Sequence, residues 1–323
     1  MPSRIEISYK TILFVIGTLA LIWFLLEIKE IVLLLFLAFI LMSALHPLVE
    51  NLERRKIPRV VSILSIYIIF ILLLVMVGGA VIPGLVVQTV NLWEQLPTIF
   101  NKILPFIPLN FEVITQQLTP ISGDLLRVTL GFFSNIFNLL TLLILTFYLL
   151  LERQHLEETF KSLLGEQYGA KAIRVIWKIE DRLGAWVRGQ IILMFIIGLF
   201  SFIGLTALGV NYALPLALLV GLFEIVPIVG SIIASVPAII VALATSPILA
   251  LAVLALYFII HQSEGNFIVP TVMKKAVGLP PIVTLVALLV GAKIDGIPGA
   301  LLAVPIVVTI HVLLQEYFGT SNS

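Results

Sequence analysis

The chain contains no cysteine in 323 residues, and charge is scarce: Asp, Glu, Lys and Arg make up 11% of it. The first absence excludes a disulfide framework, a thiolate nucleophile and a cysteine metal site. The second excludes a soluble domain, which needs about 25% charged residues to cover its surface. A net charge of +1 leaves no basic stripe, so no nucleic-acid partner is expected. The four histidines (His46, His155, His261, His311) never form an H-E-x-x-H zinc pair, and no Walker A loop exists for a primary pump. Neither an enzyme nor a bound metal or cofactor is expected. No cleavable signal peptide is read either, because the apolar run 9–26 is long enough to span and no small-residue cleavage site follows it.

What the chain has instead is apolar surface. Sixty per cent of its residues are hydrophobic and its mean hydropathy is +1.18, so its solvent is the lipid bilayer. A helical span takes about 20 apolar residues, because the hydrocarbon core is about 30 Å thick and a helix rises about 1.5 Å per residue. Candidate runs lie at 9–26, 31–49, 60–82, 128–151, 187–208 and 248–260, and two more apolar regions, 211–246 and 281–314, are interrupted midway. Uncharged runs without alternation predict helices rather than a membrane β-barrel. The expected fold is an all-α integral membrane protein with about eight transmembrane helices, two of its units being Pro/Gly-broken hairpins.

Lys and Arg gather on the cytoplasmic side of membrane proteins. With the N-terminus inside, Arg4, Lys10, Arg54, Arg55, Lys56, Arg59, Lys274, Lys275 and the seven basic residues from Arg153 to Arg188 are cytoplasmic, against Lys29, Lys102 and Arg127 outside. Both termini are expected in the cytoplasm. The organisation then reads as three helices in 1–82, an extracellular amphipathic cap in 83–127 and a further helix in 128–151. A cytoplasmic amphipathic segment fills 152–186, its charges read as a solvated face. Two transport repeats follow, 187–246 and 247–318, and a disordered tail, 319–323. Arg54, Arg55, Lys56 and Arg59 are expected only to set topology and touch headgroups.

The repeat carries the functional information. Ala217-Leu218-Leu219-Val220-Gly221 recurs 70 positions later as Ala287-Leu288-Leu289-Val290-Gly291. An acid, a proline and a glycine follow in the same order: Glu224, Pro227 and Gly230, then Asp295, Pro298 and Gly299. Each unit closes in Val-Pro, at Val236-Pro237 and Val304-Pro305. Helix parity makes the two units inverted, and inverted repeats with broken helices point to secondary transporters whose site lies near the midplane. Residues 281–291 as a helix reach only about 16 Å, half the core, which favours re-entrant hairpins over full spans. The alternative is two ordinary pairs of short spans with both acids at headgroup level. In the buried reading an acid costs about 2.5–3.5 kcal/mol, which marks Glu224 and Asp295 as ligand candidates. Pro227, Gly230, Ser231, Pro298 and Gly299 shape the tips, and Gln190 lines the cavity or bonds a neighbouring helix. Asp295 has a structural alternative in pairing with Lys293. Gln262, Glu264, Asn266 and Pro270 form a polar cluster at a membrane boundary, read either as a gate or as the capped end of a helix.

With these residues in hand, the chain resembles the autoinducer-2 exporter family of bacterial membrane proteins over nearly its whole length. The resemblance rests on Leu52-Glu53-Arg54-Arg55-Lys56-Ile57-Pro58-Arg59, Arg188-Gly189-Gln190, Ile225-Val226-Pro227-Ile228-Val229-Gly230, Gln262, Glu264-Gly265-Asn266, Pro270 and residues 296–305. It implies about eight membrane helices, a homo-oligomer, and transport of autoinducer-2 or exchange of cations for protons. The family's His-Pro before the last hairpin is Pro280-Pro281 here, and Asp295 stands where apolar or small residues are typical, which favours Glu224 and the Glu264 cluster. The expected function is a secondary transporter of the bacterial inner membrane that exports a small polar organic solute. The alternatives are a Na⁺(K⁺)/H⁺ antiporter and a non-transporting oligomeric scaffold.

Overall fold

The computed structural model describes residues 27–73, 136–227, 229–273 and 280–318, with scattered positions from 14 to 24 and at 75, 76 and 79. Most of the expected first span, the cap over 83–127, residues 128–135, Lys274, Lys275 and the tail lie outside the described residues. Among the described residues every element is helical and no strand occurs. In chain order these are α1 (Lys29–Glu53), α2 (Arg59–Leu73), α3 (Ile136–Glu152), α4 (Leu156–Leu164), α5 (Glu166–Ala207), α6 (Ala213–Phe223), α7 (Val229–Thr245) and α8 (Pro247–Ser263). A π-helical turn (Glu264–Ile268) then leads into α9 (Val269–Met273), and α10 (Pro281–Phe318) closes the described chain.

Among the described residues four helices are long and apolar enough to cross a membrane: Lys29–Glu53, Glu166–Ala207, Pro247–Met273 and Pro298–Phe318. A fifth follows if α3 and α4, bent by 77° to each other, count as one span. Against the expected count of about eight, the described residues therefore supply four or five, and α2, α6 and α7 are shorter apolar helices. Phe195, Ile203, Leu251 and Phe258 stay exposed on the outward faces. All four lie inside helices, the form that satisfies backbone groups within the segment as hydrocarbon demands.

α5 organises the bundle. Its 42 residues contain no proline, so the hydrogen-bond ladder runs about 63 Å without a break, straight through the boundary expected at 186/187. One stretch of it (Ile179, Leu183, Leu193) packs with Ile40 of α1, Met273 of α9 and Leu288, Val304 and Val308 of α10. The next stretch, around Ile197 and Leu205, packs with Leu216, Ala238 and Val253 of α6, α7 and α8. A third cluster joins α1, α2 and α3 through Met42, Ile63 and Leu150.

Glu152, Glu158, Glu166, Lys171, Arg174, Lys178 and Asp181 of the segment 152–186 are exposed, and Glu180, with Arg153, departs from the solvated face expected there. Arg153 Nε lies 2.8 and 2.9 Å from the two carboxylate oxygens of Glu180, which is buried, and His46 Nδ1 lies 3.1 Å from the same Oε1. The Arg153 guanidinium also sits 5.8 Å from the Trp177 ring. Arg59 does more than set topology. Its Nε donates to the Leu150 carbonyl at 2.9 Å and its Nη1 reaches both oxygens of Glu53 at 3.1 Å, so it ties α1, α2 and α3 together.

α10 is broken at Asp295 (φ −141°, ψ 27°) and Gly296 (φ 59°, ψ −135°). A Cβ placed on Gly291 would meet the Gly299 carbonyl oxygen at 2.3 Å, and one on Gly299 would meet the Gly291 oxygen at 2.1 Å. Residues eight apart in an unbroken helix stand about 12 Å from each other. The chain therefore doubles back at Gly296, and its two arms touch backbone to backbone.

Candidate functional site

The site begins where α6 stops. Its ladder ends in short turns, Ile225 N donating to Leu222 O at 3.2 Å and Val226 N to Phe223 O at 3.1 Å. Pro227 has no N–H to continue it. α7 then returns along α6 so closely that a Cβ on Gly230 would fall 1.7 Å from the Phe223 carbonyl oxygen. Only glycine fits there. Glu224, at this fold-back, is completely withdrawn from solvent.

α5 supplies the opposite wall. Gly221 of α6 lies against Met194 and Gly198 of α5, where an added Cβ would come within 2.9 Å of the Met194 oxygen. That contact brings Gln190, one helical turn earlier, to the break, where its Nε2 donates to the main-chain carbonyl of Glu224. Gly189 beside it packs against Met273 of α9.

The polar cluster after α8 closes the site. Pro270 lacks the N–H that would pair with the Asn266 carbonyl, and its ring crowds that oxygen in a regular α-turn. The chain widens there into the π-helical turn, with Val269 N–H donating five residues back to the Glu264 carbonyl. Such turns often mark functional sites. Here the turn directs Glu264 inward, where only 2% of it is exposed. Ser231 Oγ, in the first turn of α7, donates to Glu264 Oε2 at 3.5 Å. His261 Nδ1 lies 3.3 Å from the same oxygen, and its ring stacks on Tyr257 at 6.2 Å between centroids.

The expected residues thus sort unevenly. Gln190, Glu224, Gly230, Ser231 and Glu264 are buried together around one break, with Pro227 half-buried beside them. The transport set and the gate set, read as separate, meet at the Ser231–Glu264 contact. Gln262, Asn266 and Pro270 are exposed. At the second break Asp295 and Pro298 are exposed and Gly299 is half-buried, and no ion pair joins Asp295 to Lys293 among the described residues. His261, which opens the polar stretch 261–266 read from the sequence, stands beside Glu264 as a ligand candidate that was not singled out; its spacing of four from Tyr257 and three from Glu264 on one helix face was the available signal. No group of three His, Asp or Glu side chains arranged to hold a metal occurs among the described residues.

A bundle of apolar helices closing round buried carboxylates at a chain break defines a helical membrane protein with a polar interior site. The chain belongs to a known family of that class: the AI-2E family transporter model matches residues 12–319. Two Bacillus subtilis proteins named for transport are similar to it. YueF is 29% identical, over 84% of this chain and 79% of its own length, and YrrI is 28% identical, over 94% and 92%. The AI-2 transport protein TqsA of Escherichia coli is 26% identical, over 90% of this chain and 87% of its own.

Proposed function

We propose that this chain is a secondary transporter of the bacterial cytoplasmic membrane that exports a small polar organic solute, with both termini inside. Membership of a transporter family and the similarity to TqsA support the reading, and they make the furanone-derived signal autoinducer-2 the first solute to test. The observation that carries it is the buried polar set of Gln190, Glu224, Ser231 and Glu264 at the break between α6 and α7. Buried ionisable groups among apolar spans face a solute or ion path far more often than lipid. Amide, hydroxyl and carboxylate oxygens suit a hydroxyl-bearing solute. The short α6 and α7 and the two fold-backs support a re-entrant arrangement of both broken units.

The test is solute counterflow in proteoliposomes loaded with autoinducer-2. Flux that depends on the protein and falls with Glu224→Gln supports export. An absence of flux, together with a pH change inside dye-loaded vesicles on pulses of Na⁺, K⁺ or Li⁺, would replace it with cation/proton exchange, the reading that two buried carboxylates also favour. Silence in both assays from folded protein would overturn transport altogether and leave the scaffold reading.

A further inference from the structure

The carboxylate of Glu264 is incompletely matched. A carboxylate offers about four acceptor positions. Here Oε2 has only two long contacts, from Ser231 and His261, while Oε1 is buried with no hydrogen-bond partner among the described residues. No lysine or arginine forms an ion pair with it among the described residues, its single ion-pair contact being His261. A charge taken out of water without a matching charge is held at a high cost unless something positive or hydrogen-donating is brought to it. His261 keeps about a quarter of its side chain exposed (23%), so one member of the pair reaches the surface and the other does not.

We infer that Glu264 is the proton-loading residue of this transporter, with His261 passing protons between water and Glu264. The inference rests on the transporter reading for its purpose, but not for its chemistry. In the loading step the His261 imidazolium gives its Nδ1 proton to Glu264 Oε2. Neutral imidazole and a neutral carboxyl result, and water returns a proton to the ring. The loaded carboxyl then faces Ser231, at the start of α7, so the change is felt at the break that holds Glu224. The titratable groups around it are His261 and Tyr257 on its own helix and Glu224 at the α6–α7 break. The facing elements α7 and α5 bring Ser231 and Gln190, which do not titrate in this range.

The test is infrared difference spectroscopy of the full chain in lipid nanodiscs through steps of pH, which needs no solute. A buried protonated carboxyl gives a carbonyl stretch of its own, expected in the wild type, absent in Glu264→Gln and retained in Glu224→Gln. Ser231→Ala should move the band, because its hydroxyl touches Oε2, and His261→Gln should keep the band but slow its appearance after a pH jump by about a hundredfold, the scale of a positioned proton shuttle. Survival of the band in Glu264→Gln, or its loss in Glu224→Gln alone, overturns the assignment. Silence in both the solute-flux and the cation-pulse assays, with the band intact in the wild type and absent in Glu264→Gln, would sink the transporter reading while leaving the proton site in place.

Discussion

Gln190 donates its side-chain amide to the main-chain carbonyl of Glu224, fixing α5 to the point at which α6 breaks. Both partners are buried, so removing the donor strands a carbonyl away from water. Gln190→Leu should lower stability by about 1–3 kcal/mol and reduce solute flux in proportion to the folded protein lost or more. Thermal unfolding in detergent, run beside counterflow, checks both. An unchanged unfolding midpoint would mean that the carbonyl finds another donor.

The Arg153–Glu180 pair predicts a coupled effect. Breaking it with Glu180→Met leaves a guanidinium without its partner and should cost about 3 kcal/mol, whereas replacing both residues with methionine should cost much less than the two single changes together. A double-mutant cycle by denaturant unfolding measures this. Additive single effects would show that the pair is independent.

Glycine substitutions separate close approach from open space. Gly299→Val forces the arms of α10 apart, because even its Cβ meets the Gly291 oxygen, so little folded protein is expected. Gly296→Ala must hold φ near 59° with ψ near −135° and should cost about 2 kcal/mol. Gly265→Ala meets nothing within 4 Å and should fold normally. Yield and size-exclusion profile in detergent rank the three.

The absence of native cysteine allows single-cysteine mapping of the two breaks. Gly230 is unusable as a labelling position because Phe223 O fills its Cβ space, whereas Ile225 and Asp295 are exposed in the chain. In a re-entrant arrangement Ile225→Cys and Asp295→Cys should both resist a membrane-impermeant maleimide. Labelling of Ile225→Cys from the cytoplasm and Asp295→Cys from outside would instead establish two ordinary pairs of spans.

The sequence located both breaks, because an acid, a proline and a glycine interrupting an apolar run are local features. It did not foresee the continuity of α5, whose amphipathic and apolar halves share one helical period and differ only in what surrounds them. Nor did it foresee the meeting of Ser231 with Glu264, 33 residues apart, which depends on a π-helical turn set by a steric conflict at Pro270. The burial of Glu180 was hidden for a similar reason: the charged residues beside it, Lys178 and Asp181, are exposed, while its partners His46 and Arg153 come from α1 and the residue after α3.

What the sequence determined by itself is the solvent, the helical secondary structure and the places where helices stop, since each follows from composition within about one helix length. What only the tertiary structure decided is which of two matching acids is withdrawn from water. The same pentapeptide precedes both, but Gly221 closes on Gly198 of α5 whereas Gly291 closes on Gly299 of its own helix. With α5 alongside, Glu224 is covered and its carbonyl held by Gln190. Asp295 turns on an arm that packs against itself and stays exposed. Burial is a property of the neighbouring helix, and a local sequence repeat carries no record of its neighbour.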